Sequence, residues 1–122
     1  MFRILFLVIN LFLVLSAYSV DYFWVGGTGN WSDFSSHWAT TSGGGSFHSS
    51  SPTVNDDVFF DSNSFSSDGQ EVTLDEAGLV KSFTMSGISN AVTFTDGGGA
   101  FDLTVAENLQ LDAQVDFSSF DN

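Results

Sequence analysis

Three tryptophans in the stretch "WVGGTGNWSDFSSHW", Trp24, Trp31 and Trp38, are the residues of this sequence best suited to holding a ligand. An indole ring has a flat apolar face, and such rings recur at binding hot spots. Stacked on sugars, the three would form the platform of a carbohydrate-binding module. Large aromatic side chains are mostly buried in folded proteins, however. We therefore favour a second interpretation, in which the rings seal the first strands of a β-fold and the intervening glycines allow close backbone approach.

The acidic stretch "NDDVFFDSNSFSSDG" at 55–69 is the best metal candidate. Its oxygen-bearing side chains suit Ca²⁺, the one cofactor that the sequence suggests. However, "DSNSFSSDG" has Phe65 where an EF-hand loop needs an oxygen, and its glycine comes too late. Turn formation explains these residues more simply. The residues that would form the weak Ca²⁺ site are Asp56, Asp57, Asp61, Asn63 and Asp68.

We predict no catalytic residues. The absence of cysteine excludes thiol catalysis and Cys-ligated zinc, and His37 and His48 belong to no zinc-binding motif. The sequence has no G-x-S-x-G elbow. A polysaccharide-cleaving β-helix enzyme would use Asp56, Asp57 or Asp61 as acid and base. Binding an acidic sugar would also need cations, and Lys81 is the only one beyond Arg3.

The charge balance and the first residues indicate an exported protein. Fifteen Asp and Glu stand against two Lys and Arg, which excludes nucleic acid as a partner and disfavours anionic membranes. "MFRILFLVINLFLVLSAYS" has one cation, an apolar run and small residues at Ala17 and Ser19, and therefore predicts a signal peptide cleaved before Val20. A retained amino-terminal anchor is the alternative. A cysteine-free exported domain is typical of bacteria, so we expect a secreted or cell-surface bacterial protein.

Short apolar–polar alternation dominates the rest of the chain and predicts an all-β fold with almost no helix. "EVTLDEAG" at 71–78 aligns with "AVTFTDGG" at 91–98, and "SFTM" at 82–85 aligns with "DLTV" at 102–105, both at a shift of twenty residues. Such a period suits one coil of a right-handed parallel β-helix, or solenoid. An antiparallel β-sandwich is the alternative. The alternating segments are "VFF" 58–60, "VTL" 72–74, "SFTMS" 82–86, "AVTF" 91–94, "DLTV" 102–105, "LQL" 109–111 and "VDF" 115–117.

The Trp/Gly block resembles the opening segment of exported bacterial surface proteins. In these, W-x-G-G-x-G-N-W-x-D-x-x-x-W precedes P-x-x-x-D-x-V-x-F and a run of β-helix coils. The chain is similar to proteins with autotransporter-associated β-strand repeats and to adhesin-like proteins with a carboxy-terminal secretion signal. The resemblance implies surface architecture and transfers no catalytic residues. The matching residues are Trp24, Gly26, Gly27, Gly29, Asn30, Trp31, Asp33, Trp38, Pro52, Asp56, Val58 and Phe60.

We divide the chain into a signal peptide at 1–19, an amino-terminal cap with a Gly/Ser-rich loop at 20–57, and solenoid coils at 58–122. Proteins of the resembled kind run on for hundreds of residues, so we expect a fragment or a truncated copy. Val115, Phe117 and Phe120 would then leave an open apolar end. The expected function is that of a structural, adhesin-like segment without catalytic activity. Its expected partners are surface glycans, other surface proteins, or a second copy joined through this end.

Overall fold

A computed structural model describes residues 18–120 of the chain. The predicted signal peptide therefore lies almost wholly outside the described residues. Within them, no helix has the length and apolarity needed to cross a membrane. The all-β prediction is confirmed, because residues 18–120 form nine strands and a single four-residue helix. The elements are β1 (Asp21–Trp24), β2 (Gly29–Asn30), α1 (Phe34–His37), β3 (Trp38–Ala39), β4 (Asp57–Phe60), β5 (Glu71–Thr73), β6 (Gly78–Met85), β7 (Val92–Thr95), β8 (Leu103–Gln110) and β9 (Val115–Asp116).

The strands form two sheets, one in the order β3-β1-β4-β6-β8 and the other in the order β2-β5-β7-β9. Leaving β3 aside, each successive strand along the chain lies in the opposite sheet from the one before it. Neighbouring strands within each sheet are parallel. The exception among the named strands is β3, which is antiparallel to β1. Because strands paired in parallel come from successive passages of the chain, residues 18–120 do not form the successive hairpins of an antiparallel sandwich.

Alternation of apolar and polar residues explains how these strands form. Successive side chains of a strand point to opposite faces, so every second residue can face a shared interior. In β4, Val58 and Phe60 are buried while Asp57 and Phe59 are only partly covered. In β7, Val92 and Phe94 are buried in the same way. The interior between the sheets is therefore apolar and rich in aromatic rings.

The interior side chains are stacked in columns, because parallel strands bring equivalent positions side by side. Val58 of β4 lies beside Phe83 of β6, and Phe83 lies beside Leu109 of β8. In the other sheet, Val72 of β5 lies beside Phe94 of β7. We call each passage through both sheets a layer; β4 and β5 form one, β6 and β7 the next, and β8 and β9 the last.

The register differs from the predicted shift of twenty residues. Val72 is paired with Phe94, whereas the sequence alignment placed it over Val92. A break in the β6–β8 register between Val80 and Ser82 adds to the difference. Sequence similarity aligned like residues, but the loops between strands and this irregularity set the spacing of the actual pairs.

The predicted division at residue 58 does not coincide with the start of the sheets. β1 is paired in parallel with β4, and β2 is paired in parallel with β5. The segment 20–57 thus supplies the first layer as well as α1, β3 and the Gly/Ser-rich loop. The seven segments predicted from residue 58 onwards overlap the six strands β4 to β9, with "DLTV" and "LQL" both falling on β8.

Candidate functional site

The three tryptophans lie together at the amino-terminal end of the two sheets and are fully buried, each with 0% exposure. Trp38 is at the centre of the cluster. Its ring meets those of Trp24 and Trp31 edge-on, with centroids 5.0 and 4.8 Å away. Edge-to-face packing of this kind adds to the free energy gained by burying the rings. The cluster continues into the core through Phe60, whose centroid is 5.6 Å from that of Trp38.

Two of the indole nitrogens in this cluster donate hydrogen bonds to backbone carbonyl oxygens. Trp24 Nε1 donates to the carbonyl oxygen of Gly27 at 2.8 Å, and Trp38 Nε1 donates to that of Trp31 at the same distance. A buried N–H without a partner would destabilise the fold, so these bonds are a condition for burying the rings. The first bond closes the turn from Trp24 to Gly27, and the second joins Trp38 to the backbone of Trp31.

The glycines between the tryptophans make room for two polar side chains. A Cβ on Gly29 would lie 2.2 Å from Nε2 of His37, and one on Gly27 would lie 2.1 Å from Nε2 of Gln70. Gly27 also has a φ of +71°, a backbone conformation that favours glycine. Close packing against these two side chains thus explains the glycines of the "GGTG" sequence.

Both histidines are stacked on aromatic rings of β1. The ring of His37 lies parallel to that of Trp24, with centroids 4.7 Å apart, and its Nδ1 donates to the carbonyl oxygen of Val25 at 2.6 Å. His48 is stacked on Tyr22 at 3.7 Å, and its Nε2 donates to the carbonyl oxygen of Asp21 at 3.0 Å. Both imidazoles therefore fix the segments that carry them against β1.

Burial of all three indoles bears directly on the carbohydrate-platform hypothesis. A sugar ring needs an exposed indole face to stack on, and neither Trp24, Trp31 nor Trp38 offers one. The structure does bring the three rings together, as a platform would require, but with every ring buried in the core. The geometry therefore favours the seal.

The candidate Ca²⁺ ligands are distributed over separate turns. Asp56 is buried and accepts hydrogen bonds from the backbone N–H and hydroxyl of Thr53. Asp57 accepts one from the hydroxyl of Ser19. Both carboxylates thus fix the chain where it enters β4.

The remaining candidates serve the turns after β4. Asp61 accepts hydrogen bonds from the backbone N–H of Asn63 and the hydroxyl of Ser42, which joins this turn to the Gly/Ser-rich loop. Asp68 accepts one from the backbone N–H of Ala91. Within residues 18–120, no group of three or more His, Cys, Asp or Glu side chains is arranged to hold a metal ion. The turn interpretation accounts for each carboxylate individually.

The carboxy-terminal end differs from the sealed end, because its interior positions face solvent. Leu109 occupies the same column as Val58 and Phe83, yet it is 58% exposed whereas they are fully buried. Leu111, the next interior position, is 51% exposed. Together they border a groove of about 380 Å³. We call it the open-end groove; its lining consists of Phe101, Asp102, Leu103, Val105, Leu109, Leu111, Phe117 and Phe120.

The floor of the open-end groove is aromatic and continuous with the core. Phe117 and Phe120 lie under Phe94, with centroids 5.5 and 5.7 Å from its ring. Beside them, the pKa of Asp116 is lowered because the side chain and the backbone N–H of Ser118 donate hydrogen bonds to its carboxylate. The carboxylate of Asp102 lines the groove itself, whose floor is apolar.

Sequence reasoning assigned Phe117 and Phe120 to the open end but did not assign Leu109 and Leu111 to it. The alternation in "LQL" was the signal, since it places Leu109 and Leu111 on the same face. Reasoning from motifs also missed Asp75, which accepts hydrogen bonds from the backbone N–H and the hydroxyl of Ser32. That contact joins the tryptophan segment to the residues just after β5, and no local sequence pattern predicts it.

Comparison with known proteins found no matching protein-family model, no significantly similar curated protein and no significantly similar solved structure.

Proposed function

We propose that this chain is a structural segment of a secreted or cell-surface bacterial protein, built as a parallel β-solenoid and without catalytic activity. In this proposal the segment begins a stack of layers that spaces adhesive elements from the cell surface. Export follows from the amino-terminal signal peptide that the sequence predicts. The resemblance of the Trp/Gly block to the opening of adhesin-like surface proteins supports the same role.

The observation that carries the proposal is the column Val58–Phe83–Leu109. Parallel pairing brings the three residues side by side on successive passages of the chain. Because the strands alternate between two sheets, each passage repeats the path of the previous one. Stacking of this kind lets a fold grow by adding layers, and such growth suits a spacer.

The contacts of the polar residues also support a structural role. The tryptophans pack against one another, and the candidate carboxylates accept hydrogen bonds from turns. A glycosidase needs two carboxyl groups facing a shared cleft. Asp56 and Asp61 instead fix separate turns at the two ends of β4, which is the arrangement expected of a scaffold.

Export is tested by expressing the full chain in a bacterial host and determining the amino terminus of the product by mass spectrometry. The proposal predicts cleavage between Ser19 and Val20 and recovery outside the cytoplasm. A Leu13→Arg variant, which interrupts the apolar run, is the matched control and should be retained unprocessed. Cytoplasmic retention of the unaltered chain would contradict the proposed localisation.

The absence of catalysis is tested by incubating the exported chain with a panel of polysaccharides. The panel should include acidic, neutral and amino sugars, and reducing ends should be quantified over time. The proposal predicts no release above that of a heat-denatured sample. Hydrolysis that is abolished by Asp56→Asn or Asp61→Asn would instead establish an enzyme.

A further inference from the structure

The corner between β7 and β8 contains a buried carboxylate with an unpartnered oxygen. Asp96 directly follows β7 and is 2% exposed. Its Oδ1 accepts a hydrogen bond from the backbone N–H of Gly98 at 2.9 Å. Among the buried side-chain nitrogen and oxygen atoms of residues 18–120, its Oδ2 is the one left without a hydrogen-bond partner. A buried oxygen of this kind destabilises the fold unless a ligand binds it.

Asp96 stands at a position that is apolar in the earlier layers. The strands β2, β5 and β7 lie side by side with their last residues in register. The residues that directly follow these strands are Trp31, Leu74 and Asp96, and all three are buried. Burial of the first two is favourable because they are apolar, whereas a carboxylate loses its hydration there. An acid at this position therefore needs a compensating interaction.

The loop that follows is longer than its counterpart in the preceding layer. Residues 74–77 cross from β5 to β6, whereas residues 96–102 cross from β7 to β8, seven residues against four. The strand ends on either side of the two loops are paired, so the shorter length is enough for the crossing. The longer loop includes the exposed Gly97, Gly98 and Gly99. Within residues 18–120 no backbone N–H donates to their carbonyl oxygens, which are therefore available as ligands.

The protein supplies no cation to pair with the Asp96 carboxylate. Lys81 is the only Lys or Arg among residues 18–120, and His37 and His48 are stacked on rings of β1. None of the three donates a hydrogen bond to Oδ2 of Asp96. Buried carboxylates are as a rule paired with a cation or bound to a metal ion. The chemistry of this corner thus favours a cation taken from solution.

We propose that the loop 96–102 binds a Ca²⁺ ion through Oδ2 of Asp96 and carbonyl oxygens of the glycines, with water completing the coordination. Ca²⁺ takes about six to eight oxygen ligands, including backbone carbonyls, in flexible geometry, whereas Mg²⁺ demands a near-ideal octahedron. Gly97 and Gly98 have φ values of +62° and +77°, a conformation that lets a short loop turn sharply around an ion. The exposed glycines would also let the ion reach the buried carboxylate.

This site is separate from the acidic stretch at 55–69 and does not depend on the proposed function. The carboxylates of that stretch accept hydrogen bonds from neighbouring turns, whereas Oδ2 of Asp96 accepts none. With one carboxylate among its ligands, the site should bind weakly. We expect a Kd of roughly 0.1–1 mM, the range of extracellular Ca²⁺ modules.

The test measures thermal unfolding of the purified full chain, first freed of metal with a chelator. Ca²⁺ at about 10 mM should raise the melting temperature by at least about 4 °C, because it binds only the folded chain. Mg²⁺ at the same concentration should give less than half of that shift. The absence of a Ca²⁺ shift would overturn the proposal. Equal shifts with both ions would also overturn it, because they would indicate general screening of an acidic chain.

Asp96→Asn separates ion binding from folding. Asparagine keeps the size of the side chain and an oxygen for the N–H of Gly98, but it removes the buried charge. In chelator the variant should melt at the same temperature as the unaltered chain or higher, and Ca²⁺ should no longer shift it. A retained Ca²⁺ shift would contradict the proposed site.

Asp68→Asn is the matched control. Asp68 also precedes a glycine in a turn, but it is exposed and its carboxylate accepts a hydrogen bond from the N–H of Ala91. This variant should keep the full Ca²⁺ shift. Loss of the shift here, with none lost in Asp96→Asn, would place the ion in the acidic stretch at 55–69 instead.

Isothermal titration calorimetry of the unaltered chain provides a measurement that needs no variant. The proposal predicts a single Ca²⁺ site per chain. Heats that fit only several equivalent weak sites would show that the ion binds the acidic surface at large, which overturns the proposal.

Discussion

The strands at both ends of this molecule alternate apolar and polar residues, but their apolar side chains are buried at one end and exposed at the other. At the amino-terminal end, three tryptophans close the first layer and are fully buried. At the carboxy-terminal end, Leu109 of β8 and Leu111 just after it are more than half exposed. Alternation of apolar and polar residues decides which face of a strand turns inward, but burial also needs a neighbouring layer. A seal must therefore be encoded separately, and only one end has it among residues 18–120.

The largest effect should come from removing the centre of the seal. Trp38→Ala leaves a cavity among Trp24, Trp31 and Phe60 and should lower the free energy of unfolding by about 3–5 kcal/mol. For a domain whose total stability is on the order of 5–15 kcal/mol, this is a large fraction of the free energy of unfolding. Urea unfolding followed by circular dichroism measures the change. A loss below about 1 kcal/mol would show that the cluster does not hold this end together.

A direct comparison of the two ends uses one column. Phe83→Ala removes a fully buried ring and should lower the free energy of unfolding by about 3–5 kcal/mol. Leu109→Ala, at the exposed position beside it, should lower it by less than about 1 kcal/mol. The same unfolding measurement serves both variants. Equal losses would mean that Leu109 is covered in solution.

The glycine packing at the seal should give an intermediate effect. Gly29→Ala places a methyl group against the His37 ring and should destabilise the chain by about 1–3 kcal/mol. Gly45→Ala is the matched control, since a Cβ there meets nothing within 4 Å.

A double-mutant cycle identifies the cause of that loss. In a His37→Ala background the clash disappears, so Gly29→Ala should cost clearly less than it does alone. An unchanged cost would indicate that backbone conformation, and not the imidazole, requires the glycine.

The smallest predicted effect concerns Asp116. Hydrogen bonds from Ser118 lower its pKa below the ordinary value of 3.8, so the stabilisation is present above that value and is lost as the pH falls through the lower, native pKa. Ser118→Ala removes the largest contribution and should raise the pKa toward the ordinary value. An NMR titration of the Asp116 carboxyl carbon measures it. An unchanged pKa would assign the shift to the backbone N–H instead.

The fold class was predictable because alternation is a local property. "VFF", "SFTM" and "AVTF" each contain their inward-facing residues within a few positions, so the strands could be located from sequence. Register was not predictable in this way. It depends on loop lengths and on the irregularity between Val80 and Ser82, which composition does not reveal.

The site was predictable to a different degree at each end. The tryptophans could be assigned to a seal because rings of that size are usually buried. The role of His37 could not, because its stacking on Trp24 and its proximity to Gly29 depend on how α1 folds back over β1. The exposure of Leu109 could not be predicted either, because it depends on β8 being the last strand of its sheet among the described residues.

The central claim is that the layers are stacked in parallel in the observed register, and engineered disulfides test it most directly in this cysteine-free chain. The structure pairs Thr84 with Gln110, whereas a repeat of twenty residues would pair Thr84 with Thr104. Adjacent strands lie about 4.8 Å apart, a spacing that a disulfide spans, whereas Thr104 lies beside Leu79, roughly five residues along β6. After export and oxidation, mass spectrometry should find the disulfide in Thr84→Cys/Gln110→Cys and none in Thr84→Cys/Thr104→Cys. The reverse result would contradict the account.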